Sequence, residues 1–380
     1  MVNILFHIDK FAFNGAIGGA EKVLISLANA MDKTKFSVTV QTVFPEIMAD
    51  RLDKSVRYRY CYPKKNRLFY LIYRIEAQLG LTYTLHIKDE YDIEAAFLEC
   101  DPTKVLAAST NRKAKKVAWV HCDFDVAVKD KEAYVKKTWP WYRKYDKVVC
   151  VSEKCRESYI KLFGNVPESV VLHNVINENE IYQRAQETLP DMPEKTKLTL
   201  LCVGRLTPQK NPLRLLRVHK RLLEAGIDHE LWWVGDGEMR TQVEEEIEKL
   251  GVSSSVRLFG FQSNPYPFMR EADLMVCSSN YEGYSTVITE ALILGKPIVT
   301  TDCSGMRELL GDSEYGLITD NNDEKFYDAL LSVSVNQDTE LPRLTYAAQQ
   351  RGAMLTMEKL VSKNEEFLMK LLEQPVEGYK

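Results

Sequence analysis

Two glutamates eight positions apart, Glu282 and Glu290, stand on either side of the turn Gly283-Tyr284-Ser285-Thr286. The apolar run ending at Cys277 reads as a strand, and Ser285 suits the N-cap of a helix that carries Glu290. At this spacing the two carboxylates are not i,i+4 partners on one helix face. They are placed to reach different parts of one ligand lying across the helix N-terminus. A carboxylate only accepts hydrogen bonds, which suits the hydroxyls of a ribose or a hexose. The amides of Tyr284, Ser285 and Thr286, at the start of the helix, are offered to a phosphate.

Cations of the right kind stand upstream. In Leu201-Cys202-Val203-Gly204-Arg205-Leu206-Thr207-Pro208-Gln209-Lys210-Asn211-Pro212 a strand ends at Gly204, and Asn211 and Pro212 cap and open a helix. Arg205 could fork onto a phosphate while Lys210 supplies a mobile point charge; a solvated pair of loop cations fits the same residues. Near the start, Gly15-Ala16-Ile17-Gly18-Gly19-Ala20-Glu21 joins a strand to a helix. Its glycines either let backbone amides approach an anion or make a plain turn. The spacing is not Gly-x-Gly-x-x-Gly, which weakens a dinucleotide reading.

These groups need rigid elements behind them. Short β-branched runs alternate with helical patterns throughout, first at 4–8, 36–44, 91–97, 116–121, 147–151 and 170–173, then at 198–203, 230–234, 256–259, 273–277 and 298–301. Many are apolar on both faces, as strands covered by helices on both sides must be. The alternation predicts an α/β chain of parallel sheets in two Rossmann-like domains, 1–180 and 195–355. A polar stretch at 177–197, with Pro190 and Pro193, reads as the linker, and apolar spacing near the end predicts a closing helix within 356–380.

Length and charge agree. A chain of 380 residues with 45% hydrophobic and 27% charged residues suits two globular cores. The net charge of −4 excludes a chain held to nucleic acid by bulk electrostatics. Residues 1–190 nevertheless carry +5 and the remainder −9. The eight cysteines are scattered without a Cys-x-x-Cys, and the start lacks the cationic lead of a signal peptide, so a reduced, cytoplasmic protein is expected. The Arg51–Arg74 stretch holds eight basic residues against Asp53 and runs into an amphipathic helix; Lys136–Lys144 is a second basic, aromatic run. Each fits either an anionic lipid surface or a core helix with solvated edges.

Taken together, Val203-Gly204-Arg205-Leu206 with Lys210-Asn211, Gly235-Asp236-Gly237-Glu238, Glu282-Gly283-Tyr284-Ser285 with Glu290-Ala291, and Gly18-Gly19-Ala20-Glu21 resemble the retaining nucleotide-sugar glycosyltransferases of group 1, or family 4. The resemblance implies the GT-B fold: two Rossmann-like domains facing across a cleft, the last helix crossing back to the first. It implies that Gly18 and Gly19 approach the donor phosphates and that Arg205 and Lys210 neutralise the diphosphate. Glu282 would hold the sugar hydroxyls beside Gly283, Tyr284, Ser285 and Thr286, Glu290 would take the ribose, and the backbone at Phe261 would read the base. His121, at a strand end, is either near the donor sugar, as the family often places a histidine, or a hydrogen-bonded strand-end residue. The implied reaction moves a hexose or N-acetylhexosamine from a nucleotide-diphosphate sugar, UDP being the expected nucleotide, to a glycan or lipid-linked acceptor for cell-surface polysaccharide. No cofactor and no metal are expected: Asp123-Phe124-Asp125 has the spelling of a metal motif, but it lies outside the donor domain. A peripheral place on the inner face of the cell membrane follows from the basic runs. The rival readings are a nucleotide-sugar epimerase or phosphorylase of the same architecture, and a non-catalytic nucleotide-sugar binder.

Overall fold

Runs of β-branched and aromatic residues become strands wherever both faces can be covered, and here they build two separate parallel sheets. The computed structural model describes residues 1–9, 18–189 and 192–374, with only the backbone of 47 and 48. By contacts the chain divides into Met1–Ile176 with Met357–Lys380, and Asn177–Thr356.

In the first unit the strands are β1 (Val2–His7), β2 (Phe36–Thr42), β3 (Arg57–Tyr60), β4 (Ile93–Ala96), β5 (Lys115–Val120), β6 (Lys147–Cys150) and β7 (Ser169–Val171). They lie side by side in the order β3-β2-β1-β4-β5-β6-β7, every neighbouring pair parallel. Phe6, Phe97 and Trp119 pack ring to ring in the core, with centroids 5.4–6.0 Å apart. The helix Gly19–Ala30 buries Val23, Leu24, Leu27 and Ala28. The helix Met357–Glu373 is grouped with this unit, its Glu365 Oε1 accepting the Asp32 amide at 2.6 Å.

The second unit repeats the plan with β8 (Leu198–Val203), β9 (His229–Val234), β10 (Val256–Leu258), β11 (Leu274–Cys277), β12 (Ile298–Thr301) and β13 (Leu317–Thr319). Their order is β10-β9-β8-β11-β12-β13, again all parallel. Leu200, Leu215, Val218, Trp233, Val276 and Phe326 are buried together in its core. In each sheet the strand order reverses once, between β1 and β4 and between β8 and β11. In such sheets ligands bind beyond the carboxyl ends of the strands at that reversal. The Arg205–Lys210 loop follows β8 and the Glu282 loop follows β11, so the reversal of the second sheet gathers them.

Three features differ from the reading of the sequence. Residues 177–197 are not open linker throughout: Glu178–Ala185 is a helix of the second unit, capped by Asn177, whose side chain accepts the Glu180 amide at 3.0 Å. It buries Ile181 and Ala185, and Asn264 and Arg270 donate to its last carbonyls, at Arg184 and Ala185. Two apolar positions four residues apart are too few to show as a periodic face in a polar stretch. Pro190 lies outside the described residues. The sequence reading also missed β3 and β13. In β3 (Arg57-Tyr58-Arg59-Tyr60) charge alternates with aromatics at a sheet edge, and both arginines reach Asp89, at 3.1 and 2.8 Å. In β13 only three residues pair.

Candidate active site

The core of the site is a buried ion pair between two loops. Lys210 Nζ lies 2.5 Å from Glu282 Oε1, and the Ser279 hydroxyl donates to the same oxygen at 2.6 Å. Burial alone would lower the Lys210 pKa; the adjacent Glu282 carboxylate outweighs it and holds the ammonium charged, with its pKa raised. The sequence reading sent Lys210 to a phosphate and Glu282 to a sugar; the structure first gives them to each other.

The two loops are laced together around this pair. Asn280 N donates to Gln209 O at 2.8 Å, Gln209 Nε2 to Tyr281 O at 3.1 Å, and the Ser278 hydroxyl to Lys210 O at 2.8 Å. Asn211 caps the helix Pro212–Glu224 in left-handed backbone, φ 48°, and its amide also reaches Asn280 Oδ1 at 3.1 Å. Asn321, which the sequence reading missed, donates from Nδ2 to Ser279 O, Asn280 O and Asp302 O at 3.1–3.2 Å. The buried Arg214 holds Asn321 from the other side, NH1 to Oδ1 at 2.5 Å, and is itself paired with Asp323 at 3.0 Å. Residues 19 to 109 positions apart make these contacts, so no local pattern announces them.

Arg205 differs from every other group here. Its guanidinium is exposed, and among the described residues no carboxylate or hydrogen-bond acceptor holds it. The loop beneath it is fixed through the backbone: Gly204 O accepts the Trp233 indole N–H at 2.9 Å, and Leu206 exchanges hydrogen bonds with Asp236 and Met239. Gly235 N donates to Gly260 O at 2.7 Å, tying the loops after β9 and β10 and setting Phe261, which is exposed, just beyond.

The turn Gly283–Thr286 leads into the helix Thr286–Ile293, capped as expected by Ser285, whose hydroxyl accepts the Ile288 amide at 3.4 Å. Tyr284 is buried. Gly305, at φ 79°, lies so close that a Cβ there would come within 2.6 Å of Gly283 O. Glu290 is buried inside the helix, and its Oε1 accepts the Tyr266 hydroxyl at 3.0 Å. Burial first, then the Glu290 carboxylate, raises the Tyr266 pKa. Tyr266 is a second residue that sequence reasoning missed.

The first unit places its candidates at the carboxyl edge of its own sheet. Gly18 is the N-cap of the helix Gly19–Ala30. The carboxylate beside that N-terminus is the chain's own: a Cβ on Gly18 would meet Glu21 Oε2 at 2.2 Å. Gly15, Ala16 and Ile17 lie outside the described residues. His121 follows β5, its ring 5.0 Å from that of Phe97, and burial lowers its pKa despite the nearby Glu99. Glu99 Oε1 accepts the His121 amide and, at 3.0 Å, the Cys122 amide. Asp123 caps a short helix, and Asp125 pairs with Lys131 and, at 3.0 Å, Lys161. Both carboxylates of Asp123-Phe124-Asp125 are thus engaged in local structure.

Comparison with known proteins gives this arrangement a lineage. Residues 17–180 match the family Glycosyltransferase Family 4, and residues 186–351 match Glycosyl transferases group 1. An N-acetylgalactosamine-N,N'-diacetylbacillosaminyl-diphospho-undecaprenol 4-alpha-N-acetylgalactosaminyltransferase of Campylobacter jejuni is 34% identical over 185 residues, 48% of this chain and 49% of that protein. The chain thus spans about half the length of that relative. A UDP-Gal:alpha-D-GlcNAc-diphosphoundecaprenol alpha-1,3-galactosyltransferase of Escherichia coli is 24% identical over 84% of this chain and 85% of its own. Among solved structures, Anabaena HepE in complex with UDP and glucose superposes with a TM-score of 0.75 at 17% identity, over 97% of this chain and all of that one. With a match in each half, the chain belongs to the GT-B glycosyltransferases that join a family 4 domain to a group 1 domain.

Proposed function

We propose that the protein transfers a hexose or N-acetylhexosamine from a UDP-sugar to a glycan or lipid-linked acceptor in cell-surface polysaccharide synthesis, with retention at the anomeric carbon. One observation carries the reading: the exposed Arg205, unpartnered among the described residues, stands on the same loop as Lys210, whose ion pair with Glu282 fixes the two loops at the reversal of the second sheet.

Breaking the bond from the anomeric carbon to the diphosphate leaves negative charge on the departing oxygen and oxocarbenium character on the sugar. Arg205 supplies a fixed positive charge for that oxygen, and the amides at the start of Thr286–Ile293 add theirs. Lys210 shares itself between the leaving diphosphate and Glu282, so Glu282 keeps its negative charge toward the sugar hydroxyls. Glu290 takes the ribose, with Tyr266 fixing its carboxylate. We assign the departing phosphate as the base that draws the acceptor proton on the same face, and no metal to the reaction. The acceptor falls to the first unit; we keep Gly18 and Gly19 for the donor phosphates and His121 for the donor sugar. The two curated relatives act, by their names, on diphospho-undecaprenol acceptors, which supports a lipid-linked one here; we place the protein at the inner face of the cell membrane.

The test is release of UDP from a panel of UDP-hexoses and UDP-N-acetylhexosamines, with a polyprenyl-diphosphate saccharide as acceptor and excess EDTA present. One donor should support turnover, with the anomeric configuration kept in the product by NMR. Arg205→Ala should lower turnover by ~10²–10³-fold, the scale for one lost electrostatic stabiliser, without loss of stability. No UDP release from any donor defeats the reading. Turnover within a fewfold of wild type in the variant removes Arg205 from it.

A further inference from the structure

We propose that the outer face of the helix Arg67–Leu79 is a docking surface for an anionic lipid bilayer. This deepens the lipid-linked acceptor reading, and its vesicle-binding readout is independent of donor turnover.

The helix has two apolar faces and only one is used by the fold. Phe69, Ile72, Tyr73 and Ala77 turn inward against Val43, Phe44 and Tyr62. On the other side Leu68, Leu71, Ile75 and Leu79 are 62%, 56%, 50% and 65% exposed. Their spacing of three, four and four residues sets them in one stripe about 80° wide and about 16 Å long. Leu81 and Leu85, in and beside the short helix Thr82–His86 that follows, are exposed as well. Scattered exposed leucines need no explanation; a continuous stripe on one helix marks a contact surface.

Charge identifies the occupant. Lys64 and Lys65 precede the helix, and Arg67 and Arg74 border the stripe on its solvent side. All four are exposed, and among the described residues none has an ion-pair partner. The one acid of the helix, Glu76, is turned away from this face, accepting the Tyr62 hydroxyl and lying 2.8 Å from His86 Nε2. The result is an apolar strip with a purely cationic border, the pattern of a helix lying in the plane of an anionic interface. A second copy of the chain would oppose these four cations with the same four. No helix among the described residues is long and apolar enough to cross a membrane, so contact here is by the face alone.

The experiment sediments the full chain with vesicles of equal phosphatidylglycerol and phosphatidylcholine, or of phosphatidylcholine alone. Wild type should pellet with the anionic vesicles and release as salt rises. Leu71→Ser/Ile75→Ser and, separately, Lys64→Gln/Lys65→Gln/Arg67→Gln/Arg74→Gln should each weaken binding at least ~10-fold. All six positions face solvent, so the fold should persist by circular dichroism. Leu71→Trp should gain emission quenched by brominated lipid, which a merely structural role would not produce. Wild type left in the supernatant overturns the proposal, as do stripe variants that bind like wild type. A wild-type dimer that Leu71→Ser/Ile75→Ser converts to monomer overturns it too, by giving the stripe to a second copy. Loss of vesicle binding with donor turnover intact, or the reverse, separates this proposal from the transferase reading.

Discussion

In the second unit Lys210 and Arg214 point into the fold, each within 3.0 Å of a carboxylate oxygen and each bracing a loop at the carboxyl ends of the strands. In the first, Lys64, Lys65, Arg67 and Arg74 face water beside an uncovered row of leucines. The same residue types therefore serve opposite ends. Inside the second unit, charge on these loops is engaged before any ligand arrives, so the loops hold their geometry, and among the described residues Arg205 is left open. Beside the leucine row of the first unit, those four charges are left unengaged and the fold gains nothing from them. What a cation is for can be read from whether its own chain already satisfies it.

That contrast is broken most severely at Lys210. Its side chain is 15% exposed and that of Glu282 is 8% exposed, so removing the ammonium leaves a buried carboxylate with little more than the Ser279 hydroxyl. Lys210→Met should cost about 3–5 kcal/mol of unfolding free energy at neutral pH, the range for breaking one side of a buried pair. Lys210→Met/Glu282→Gln should recover most of that loss while remaining inactive. Chemical denaturation of the three variants decides it. A single variant as stable as wild type would show the pair to be solvated and the loops not braced by it.

A medium effect tests burial without a partner charge. His7, at the end of β1, is fully buried, and desolvation lowers its pKa from 6.5 to about 4, with a hydrogen bond involving Gln41 opposing. The unfolded chain therefore takes up this proton near pH 6.5 while the folded chain refuses it until about pH 4. The stability that depends on neutral His7 is present above pH 6.5 and is lost as pH falls toward 4. Between pH 7.5 and 5 the loss from this one group is about 2 kcal/mol. His7→Leu should show that much less acid sensitivity in urea unfolding at the two pH values. An unchanged pH dependence would refute the assignment.

The sequence showed its local chemistry well and its long-range chemistry poorly. Eleven of the thirteen strands among the described residues, the Asn211 and Ser285 caps and the Glu282–Glu290 turn were all legible, because period, cap and turn depend on neighbours a few residues away. The partners were not: Tyr266 is 24 residues from Glu290, and Asn321 is 107 from Arg214. The Glu178–Ala185 helix went unread because its apolar contacts are few and its polar ends are satisfied by Asn264 and Arg270. In Arg67–Leu79 the spacing gave a helix with an apolar side, but only the packing shows that Phe69 and Tyr73 are covered and Leu71 and Ile75 are not.

The smallest expected effect separates two runs that read alike in sequence. Lys136–Lys144, like Arg51–Arg74, mixes cations with aromatics, yet here the rings turn inward. Trp139 stacks on Phe163 at 6.1 Å and 16°, Lys104 Nζ lies 5.7 Å from the centre of the Trp141 ring, and Tyr142 is fully buried. Lys136, Lys137, Arg143 and Lys144 are left outside with Pro140, and no large apolar side chain of the run is exposed beside them. Charge alone is screened within ~8 Å at physiological salt, whereas an inserted leucine is not screened at all. Lys136→Gln/Lys137→Gln/Arg143→Gln/Lys144→Gln should therefore change vesicle affinity by less than ~3-fold at that salt. Unfolding free energy should stay within ~0.5 kcal/mol of wild type, as for surface substitutions away from a packed contact. Vesicle sedimentation beside the stripe variants measures the difference directly. A loss as large as theirs would mean that the docking face is set by the unit's overall positive charge, and that the exposed leucines of Arg67–Leu79 are incidental to it.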